Sequence, residues 1–545
     1  MSAKELSEIK KALKKRSEMN RQVTQTASGV PIKLLYTPID TSDVQYLEDL
    51  GFPGEPPFTR GVYQEMYSKR PWTQRQVCGY GTAEETNERL RFLNEQGQTG
   101  LSIVPDTPTI YGLASDDALS EGEVGREGVA IDTLEDMRAL FAGIDLERVS
   151  TNIIYNYPIL FCMYLAVARE RGIKNENLAG TLQNDLFTIT AGAKSWIVPP
   201  KGSLKLSVDV MEFCARYMPR FNPVSLVGYH YREAGCTAAQ ELAFTISAGL
   251  AYIRAGLERG LQVDDFAPRL SFFFSGDNHF FEEIAKFRAA RRLWYRLVTE
   301  RYKPQNPRSC MVRFHTQTAG SSLTAQQPMN NIVRTTLQAL AAILGGTQSL
   351  HTNSFDEALS IPSQEAVKIA LRTQQILSLE SGVTDTVDPL AGSYYVESLT
   401  QEIEKRAGQL IEKIDELGGM LAAVEKNFVQ SEITAAAYQE KKAVDEGTKK
   451  VVGVNCFMEP DEEIRFELMK VSPELEKKQI ARLEKVRKQR DEKKTKKALE
   501  KIENVARRNE NTVDATVEAV MAGATLGEIG ALYRRVFGEY TDPGL

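Results

Sequence analysis

A chain of 545 residues is too long for one ordinary small domain and suits a large barrel-type domain with appendages. Hydrophobic residues are 42% and charged residues 26% of the total, normal for a globular enzyme, and a formal net charge of -6 supplies no positive field to recruit nucleic acid or an anionic membrane. No apolar run is long enough to span a bilayer, the basic N-terminus has no apolar core of a signal peptide, and six scattered cysteines form no CxxC pair, so the expected setting is a reducing cytoplasm, with neither structural zinc nor disulfides.

In chain order, residues 1–50 read as a polar N-terminal extension with weak helical spacing at Leu6, Ile9 and Leu13. The Gly- and Pro-rich stretch Gly51–Gly61 predicts an extended loop. Residues 51–440 then read as the main domain. Between Gly100 and Ala358, short apolar runs at Leu101–Val104, Val149–Ile154, Val224–Tyr229, Leu270–Phe274 and Met311–Thr316 predict strands. Helical stretches separate them, clearest at Glu233–Gly260 and Glu282–Tyr302. Strand–helix alternation predicts a parallel sheet, and the number of units favours a closed (β/α)8 TIM barrel over an open doubly wound sheet. No GxGxxG follows the first strand and no GxxxxGK[ST] occurs, against nucleotide-binding α/β folds. Residues 441–545 form a helical, charged C-terminal region. Asn427–Gly447 reads as a helix running into it. Within it, Leu475–Arg508 carries thin apolar stripes at Ile480, Leu483, Val486 and at Leu499, Ile502, Val505. Such a helix lies either on its own barrel or against a partner. A helical ending, Thr516–Tyr540, follows.

Barrel enzymes carry reactive side chains just past the C-terminal ends of their strands. Of four histidines, His230 follows the run Val224–Tyr229, His315 lies on the last turn of another strand, His351 follows a short apolar run, and His279 leads into a helix. A lone histidine is usually structural, but three near strand ends among Gln, Thr, Ser and Asn mark a site. There is no HxH, HExxH or GxSxG, against a metal centre or a serine hydrolase. Ser102, Ser271, Thr316, Gln317, Thr347, Gln348 and Ser349 are small or polar where barrels carry bulky aliphatics. They would either leave an axial channel for a long, thin ligand or cap helices in βα loops.

The segments PFTRGVYQEMYSKRPWTQRQ (Pro57–Gln76), GLSIVPDTPT (Gly100–Thr109), GTLQND (Gly180–Asp185), GYHYREAG (Gly228–Gly235), RFHTQTAGSSL (Arg313–Leu323) and GGTQSLHTNSFDEAL (Gly345–Leu359), in this order, strongly resemble the methylmalonyl-CoA mutase family. The resemblance implies a barrel whose channel takes the pantetheine arm of CoA while adenosylcobalamin caps the mouth, for a radical 1,2-migration of the thioester group. It implies that His230 hydrogen-bonds the thioester carbonyl, with Gln183 and Tyr229 beside it. Gln317, Asn353 and Glu357 match positions near the cofactor. Tyr63, Met66, Arg70, Thr73, Arg75, Ser102, Arg269, Ser271 and Arg313 match the CoA channel, where arginines suit phosphates.

The chain departs from the family pattern in two places. The family's cobalamin-binding DxHxxG motif has no counterpart: Asp277-Asn278-His279 has Glu282 where glycine belongs and lies in the wrong part of the chain. The resemblance then implies a separate small cobalamin-binding subunit that supplies the lower cobalt ligand, and a homodimer of this chain within a heterotetramer. Second, the tyrosine and arginine that hold a substrate carboxylate in the family are Val77 and Ala193 here. With Val104 and Pro105 these suggest a wide apolar pocket, which disfavours methylmalonyl-CoA and suits a branched, uncharged acyl-CoA of isobutyryl, pivalyl/isovaleryl or 2-hydroxyisobutyryl type. The alternatives are a methylmalonyl-CoA mutase subunit and a non-catalytic CoA-ester-binding partner, the latter raised by Ala114 where relatives have aspartate.

Overall fold

The structure is a computed structural model describing residues 3–155, 157–459, 468–469, 472 and 474–542. Two five-stranded sheets, parallel throughout, form its centre. In chain order the strands are β1 (Thr73–Arg75, resuming at Val77–Cys78), β2 (Leu101–Ile103), β3 (Ser150–Ile154), β4 (Ala179–Gln183), β5 (Phe221–Asn222, resuming at Val224–Val227), β6 (Leu270–Gly276), β7 (Phe314–Thr318) and β8 (Ser349–His351). One sheet runs β1-β8-β7-β6-β5 and the other β1-β2-β3-β4-β5, so the first and fifth segments belong to both. Each hands over from one sheet to the other at a single residue. At Gln76 the backbone N–H is taken by the Gln98 side chain at 2.8 Å, outside the ladder. At Pro223 there is no N–H to give. The two sheets are thus joined in the manner of a TIM barrel by the chain itself, through two interrupted strands, and not by an unbroken ladder.

A helix follows each strand: α1 (Ala83–Glu95), α2 (Leu134–Leu140), α3 (Pro158–Glu170), α4 (Pro200–Tyr217), α5 (Ala238–Glu258), α6 (Phe280–Tyr302), α7 (Asn331–Leu344) and α8 (Gln364–Leu379). Local chemistry sets their starts. Thr82 with Glu85, and Thr237 with Gln240, form capping boxes for α1 and α5, and Pro158 opens α3 without a wasted donor. β6 shows how strand alternation divides the barrel. Leu270, Phe272 and Phe274 point outward into the helices, with Phe272 edge-on to Trp294 at 5.0 Å. Ser271 and Phe273 point inward.

Several expectations need correction. β1, β4 and β8 are strands that apolar runs did not reveal. The run at Val224 stops at Val227, and Tyr229 already opens a short helix, Tyr229–Glu233. The helix expected over Glu233–Gly260 begins only at Ala238, because Gly235 takes a φ of 102° and breaks the chain direction. His315 is not at a strand end but inside β7, facing the bore, whereas His351 is the last residue of β8, as expected. Thr316 and Thr347 do not line it either: they are fully buried and hydrogen-bond each other at 2.9 Å.

Beyond the barrel, α9 (Tyr394–Glu416) packs on α6 through buried ion pairs, Arg288 to Glu397 and Arg292 to Glu404. Two further helices follow, the short α10 (Met420–Glu425) and the longer α11 (Phe428–Asp445). The charged tail comprises α12 (Glu474–Gln489) and α13 (Glu492–Arg507), then α14 (Val513–Met521) and α15 (Leu526–Phe537). Its apolar stripe turns inward: Leu483, Ile502 and Val505 are buried, with Ile480, Val486 and Leu499 half-buried beside them. Gln479 of α12 donates to Asp132 at 2.9 Å and Asp136 at 3.2 Å, and Arg487 pairs with Asp116. Of the two readings of this tail, the helices lie on their own barrel. Among the described residues no helix is long and apolar enough to cross a membrane.

Candidate functional site

A chamber of about 880 Å³ opens at the N-terminal end of the barrel, formed by the segment 54–73 together with Thr347 and Gln348. Tyr63, Met66, Arg70 and Thr73 from the sequence-based set line it. Buried Arg291 of α6 holds this segment in place through the carbonyls of Phe58 at 2.8 Å and Thr59 at 2.7 Å.

Above the chamber runs an axial cavity of about 170 Å³, sharing Tyr63, Thr73 and Gln348 with it. Seven of the eight strands or their leading residues contribute: Arg75, Asn152, Thr181, Ser225, Ser271, His315 and Ser349 line it, with Gln183 and Phe273. Such a lining explains the open bore, because small polar side chains satisfy one another along the wall instead of meeting at the axis. Asn152 donates to Ser102 at 2.9 Å, Asn222 to Thr181 at 3.1 Å, and Ser271 to the carbonyl of Val224 at 3.2 Å. His315 Nδ1 lies 2.6 Å from the Ser349 hydroxyl, and burial holds its ring well below the usual imidazole range.

Arg75 lines the bore but is engaged by it. Its guanidinium reaches the carbonyls of Leu101 and Ser150 and the Ser150 hydroxyl, and burial pulls it down to about 10. The arginines that suit an anion lie lower. Arg269 is held below its ordinary value by burial and by the neighbouring charges of Arg313, Arg308 and Arg220. A crowd of like charges at a channel opening waits for anionic company. Arg308 and Arg220 did not stand out in the sequence, because they come from separate loops.

At the C-terminal mouth, β5 runs through Gly228 into the short helix bearing Tyr229 and His230. Tyr229 stacks on Phe273 at 5.1 Å and accepts a hydrogen bond from Gln317 Nε2 at 2.9 Å; the same amide reaches Asn353 Oδ1 at 3.3 Å. The sequence-predicted Tyr229, Gln317 and Asn353 therefore form one chain of contacts. His230 Nδ1 and Asn353 Nδ2 are buried without a protein partner, which marks the mouth as built for something else. Burial pushes His230 down to about 4, so its imidazole is neutral and keeps one N–H to donate. Glu357 is raised to about 7 by burial and then by the charge of Glu233, which is itself raised to about 7 by burial. Gly320 completes this rim: a Cβ there would lie 3.0 Å from Glu233 and 3.2 Å from Asn353.

Behind this mouth, Arg232 of the same short helix meets Asp277 at 2.7 Å and Glu283 at 3.2 Å, and Lys286 bridges Glu241 and Glu283 in full burial. Lys286 also takes the carbonyl of Ser275 while Glu241 takes its N–H, so β6 ends in a fixed position.

Val77, Val104 and Pro105 stand at the upper ends of β1 and β2, with Val104 pressed on Gly79. Asp106, the next residue, caps the turn Thr107–Ile110 and accepts from the Gly125 N–H at 2.7 Å. Ala193 is exposed in the loop after β4. Ala114 lies against Gly527 of α15, away from the bore lining, so a change there bears on packing rather than on chemistry.

A parallel barrel bored through by polar residues, with a neutral imidazole at its C-terminal face, defines an α/β-barrel protein with an axial channel. A family-wide sequence profile described as methylmalonyl-CoA mutase matches residues 25–539. The chain is 44% identical over 541 residues to the 2-hydroxyisobutanoyl-CoA mutase large subunit of Aquincola tertiaricarbonis, covering 99% of this chain and 96% of that one. It is 46% identical over 523 residues to the methylmalonyl-CoA mutase of Rhizobium meliloti (strain 1021), covering 95% of this chain and 73% of the relative. To the human mitochondrial methylmalonyl-CoA mutase it is 42% identical over 521 residues, covering 95% and 69%. The chain belongs to the methylmalonyl-CoA mutase family of cobalamin-dependent isomerases.

Proposed function

We propose that the chain is the catalytic subunit of an adenosylcobalamin-dependent mutase acting on a branched acyl-CoA without a free carboxylate. The polar bore, with Arg313 in its lining and Arg269, Arg308 and Arg220 crowded beside it, carries this reading. CoA's phosphates would meet Arg269 and Arg313, with Arg70 on the chamber wall, and its pantetheine arm would follow Tyr63, Met66, Thr73, Ser102 and Ser271. The thioester then arrives between Gln183 and His230. A neutral His230 donates its N–H to the thioester carbonyl, in a site dry enough to make that bond count. Tyr229, braced by Phe273 and Gln317, closes the pocket against water.

The mouth suits the cofactor by its own chemistry: an unpartnered Asn353 Nδ2, two carboxyls raised to about 7, and a glycine rim. Gln317, Asn353 and Glu357 would hold it there. When bound, adenosylcobalamin supplies the radical chemistry that removes and returns one substrate hydrogen atom. A separate small cobalamin-binding subunit would deliver it; support comes from the relative named a large subunit, 96% of whose length the chain covers.

Val77, Val104, Pro105 and Ala193 would form the acyl pocket, and none can pair with a carboxylate, which would be left buried at a cost of several kcal/mol. The test mixes the chain with a cognate small subunit, adenosylcobalamin and a panel of acyl-CoAs. Isomerised product that needs both proteins is expected, and CoA-ester binding without turnover across the panel would point to a non-catalytic subunit. Val77→Tyr with Ala193→Arg should raise turnover of methylmalonyl-CoA relative to isobutyryl-CoA; an unchanged ratio removes these residues from the pocket.

A further inference from the structure

The loop after β4 is held from two sides, and the outer side is the C-terminal segment. After Leu186–Thr188 the chain widens into a π-type turn, Ile189–Ala193, closed by Lys194 at a φ of 55°. A lysine in the left-handed region is unfavourable by itself and persists only where surroundings impose it. The inner side rests on the site: a Cβ on Gly192 would lie 3.1 Å from the carbonyl carbon of His230 and 3.2 Å from the Tyr231 nitrogen. The next residue is Ala193. Past the turn, Ile197 is fixed to the barrel by the Tyr157 hydroxyl at 2.7 Å.

Between these points the ties run outward. Trp196 Nε1–H donates to the carbonyl of Tyr540 at 2.9 Å, and the two rings meet edge to face at 5.1 Å. Lys194 pairs with Asp542. The Lys194 carbonyl accepts from the Tyr111 hydroxyl at 3.2 Å, and Arg534 of α15 grips the Tyr111 carbonyl at 2.5 Å. The polypeptide's last described residues therefore bind the outer face of the wall whose inner face touches the backbone of His230.

We infer that Gly538–Asp542 is a strap for the acyl pocket, with Trp196 and Tyr540 as positioning residues that set the place of Ala193 and keep Gly192 against His230. This rests on the acyl-CoA reading above. Loosening the strap lets the turn relax outward. The acyl group then loses contact and discrimination, while CoA, held in the bore and lower chamber, does not notice.

The experiment uses the full chain, titrated by calorimetry with CoA, isobutyryl-CoA and isovaleryl-CoA, followed by turnover with small subunit and adenosylcobalamin. The variants are Trp196→Phe, which keeps a ring and loses the N–H, and Tyr540→Ala, which loses the ring and keeps the backbone acceptor. The expected result is a CoA Kd within about twofold of wild type, a ratio of acyl-CoA to CoA affinity that narrows about threefold or more, and a kcat falling about tenfold while KM rises no more than the acyl-CoA Kd does. Thermal melting close to wild type shows that the variants are folded. Folded variants with an unchanged affinity ratio and kcat overturn the strap alone, as does an equal loss of CoA binding, which would mark general structural damage. A wild-type chain that binds none of the three ligands overturns the acyl-CoA reading and the strap with it.

Discussion

At the residue scale, the burial of His230 has a consequence for pH. The unfolded imidazole titrates near 6.5, the folded one near 4. As pH falls through this window the unfolded chain takes the proton first, so folding loses stability between about pH 6.5 and 4 and keeps it above. At pH 5 the loss is about 1–2 kcal/mol for this group, from the interval between its two titration points. His230→Gln removes it: the melting temperature of the variant should fall less between pH 7.5 and pH 5 than that of the wild type. A parallel decline in both proteins would show that this imidazole is not held neutral. The same substitution should lower kcat by about 10²–10³ if the ring stabilises charge on the thioester oxygen. His230 was legible in the sequence because it directly follows an apolar run. His351 was legible in the same way, as the last residue of β8, but its task was not: its Nδ1 accepts from the N–H of Val77 at 3.0 Å and burial takes it down to about 3. Only the pairing of β8 with β1 reveals that role.

Elements differ in how plainly they announce themselves. β6 is visible because three of its phenylalanines stand together, whereas β1 (TQR, then VC), β4 (AGTLQ) and β8 (SLH) are diluted by the polar residues that line the bore. The feature that makes the channel is the one that hides its strands. Helix α12 shows the opposite limit. Its stripe was legible, but not the surface that covers it, since that surface is assembled from Asp132, Asp136 and Glu84 of distant segments. Leu483, fully buried there, is the contact to remove: Leu483→Ala should cost about 2–5 kcal/mol in chemical denaturation, with faster hydrogen exchange along α12. A change confined to surface-like values would mean that the helix is not seated on this barrel.

For the whole molecule the decisive feature is the hollow axis. TIM barrels are normally filled by layers of aliphatic side chains. Here Ser225 and Ser271 sit opposite each other on β5 and β6, and both face the cavity. Ser225→Leu with Ser271→Leu would fill this level with apolar volume, and the burial gained should offset the lost Ser271 hydrogen bond and the crowding, so that the double variant stays folded. CoA-ester binding should then fall at least about 100-fold, as two leucines block the path. Calorimetry with a CoA ester and thermal melting check the two halves of this expectation; a folded double variant that binds CoA esters normally would place the channel elsewhere.

By itself the sequence determined what depends on near neighbours: the strand–helix alternation, the capped helix starts, the apolar stripe of the tail, and the ordered motifs that resemble the mutase family. Those features are set by residues a few positions apart, where periodicity and side-chain chemistry act directly. The tertiary structure alone decided how the ring completes through Gln76 and Pro223, which arginines crowd the lower opening, what the charged tail covers, and that Trp196 is tied to Tyr540. Each of these rests on contacts between residues tens to hundreds of positions apart, and such contacts exist only once the parallel strands have found their order.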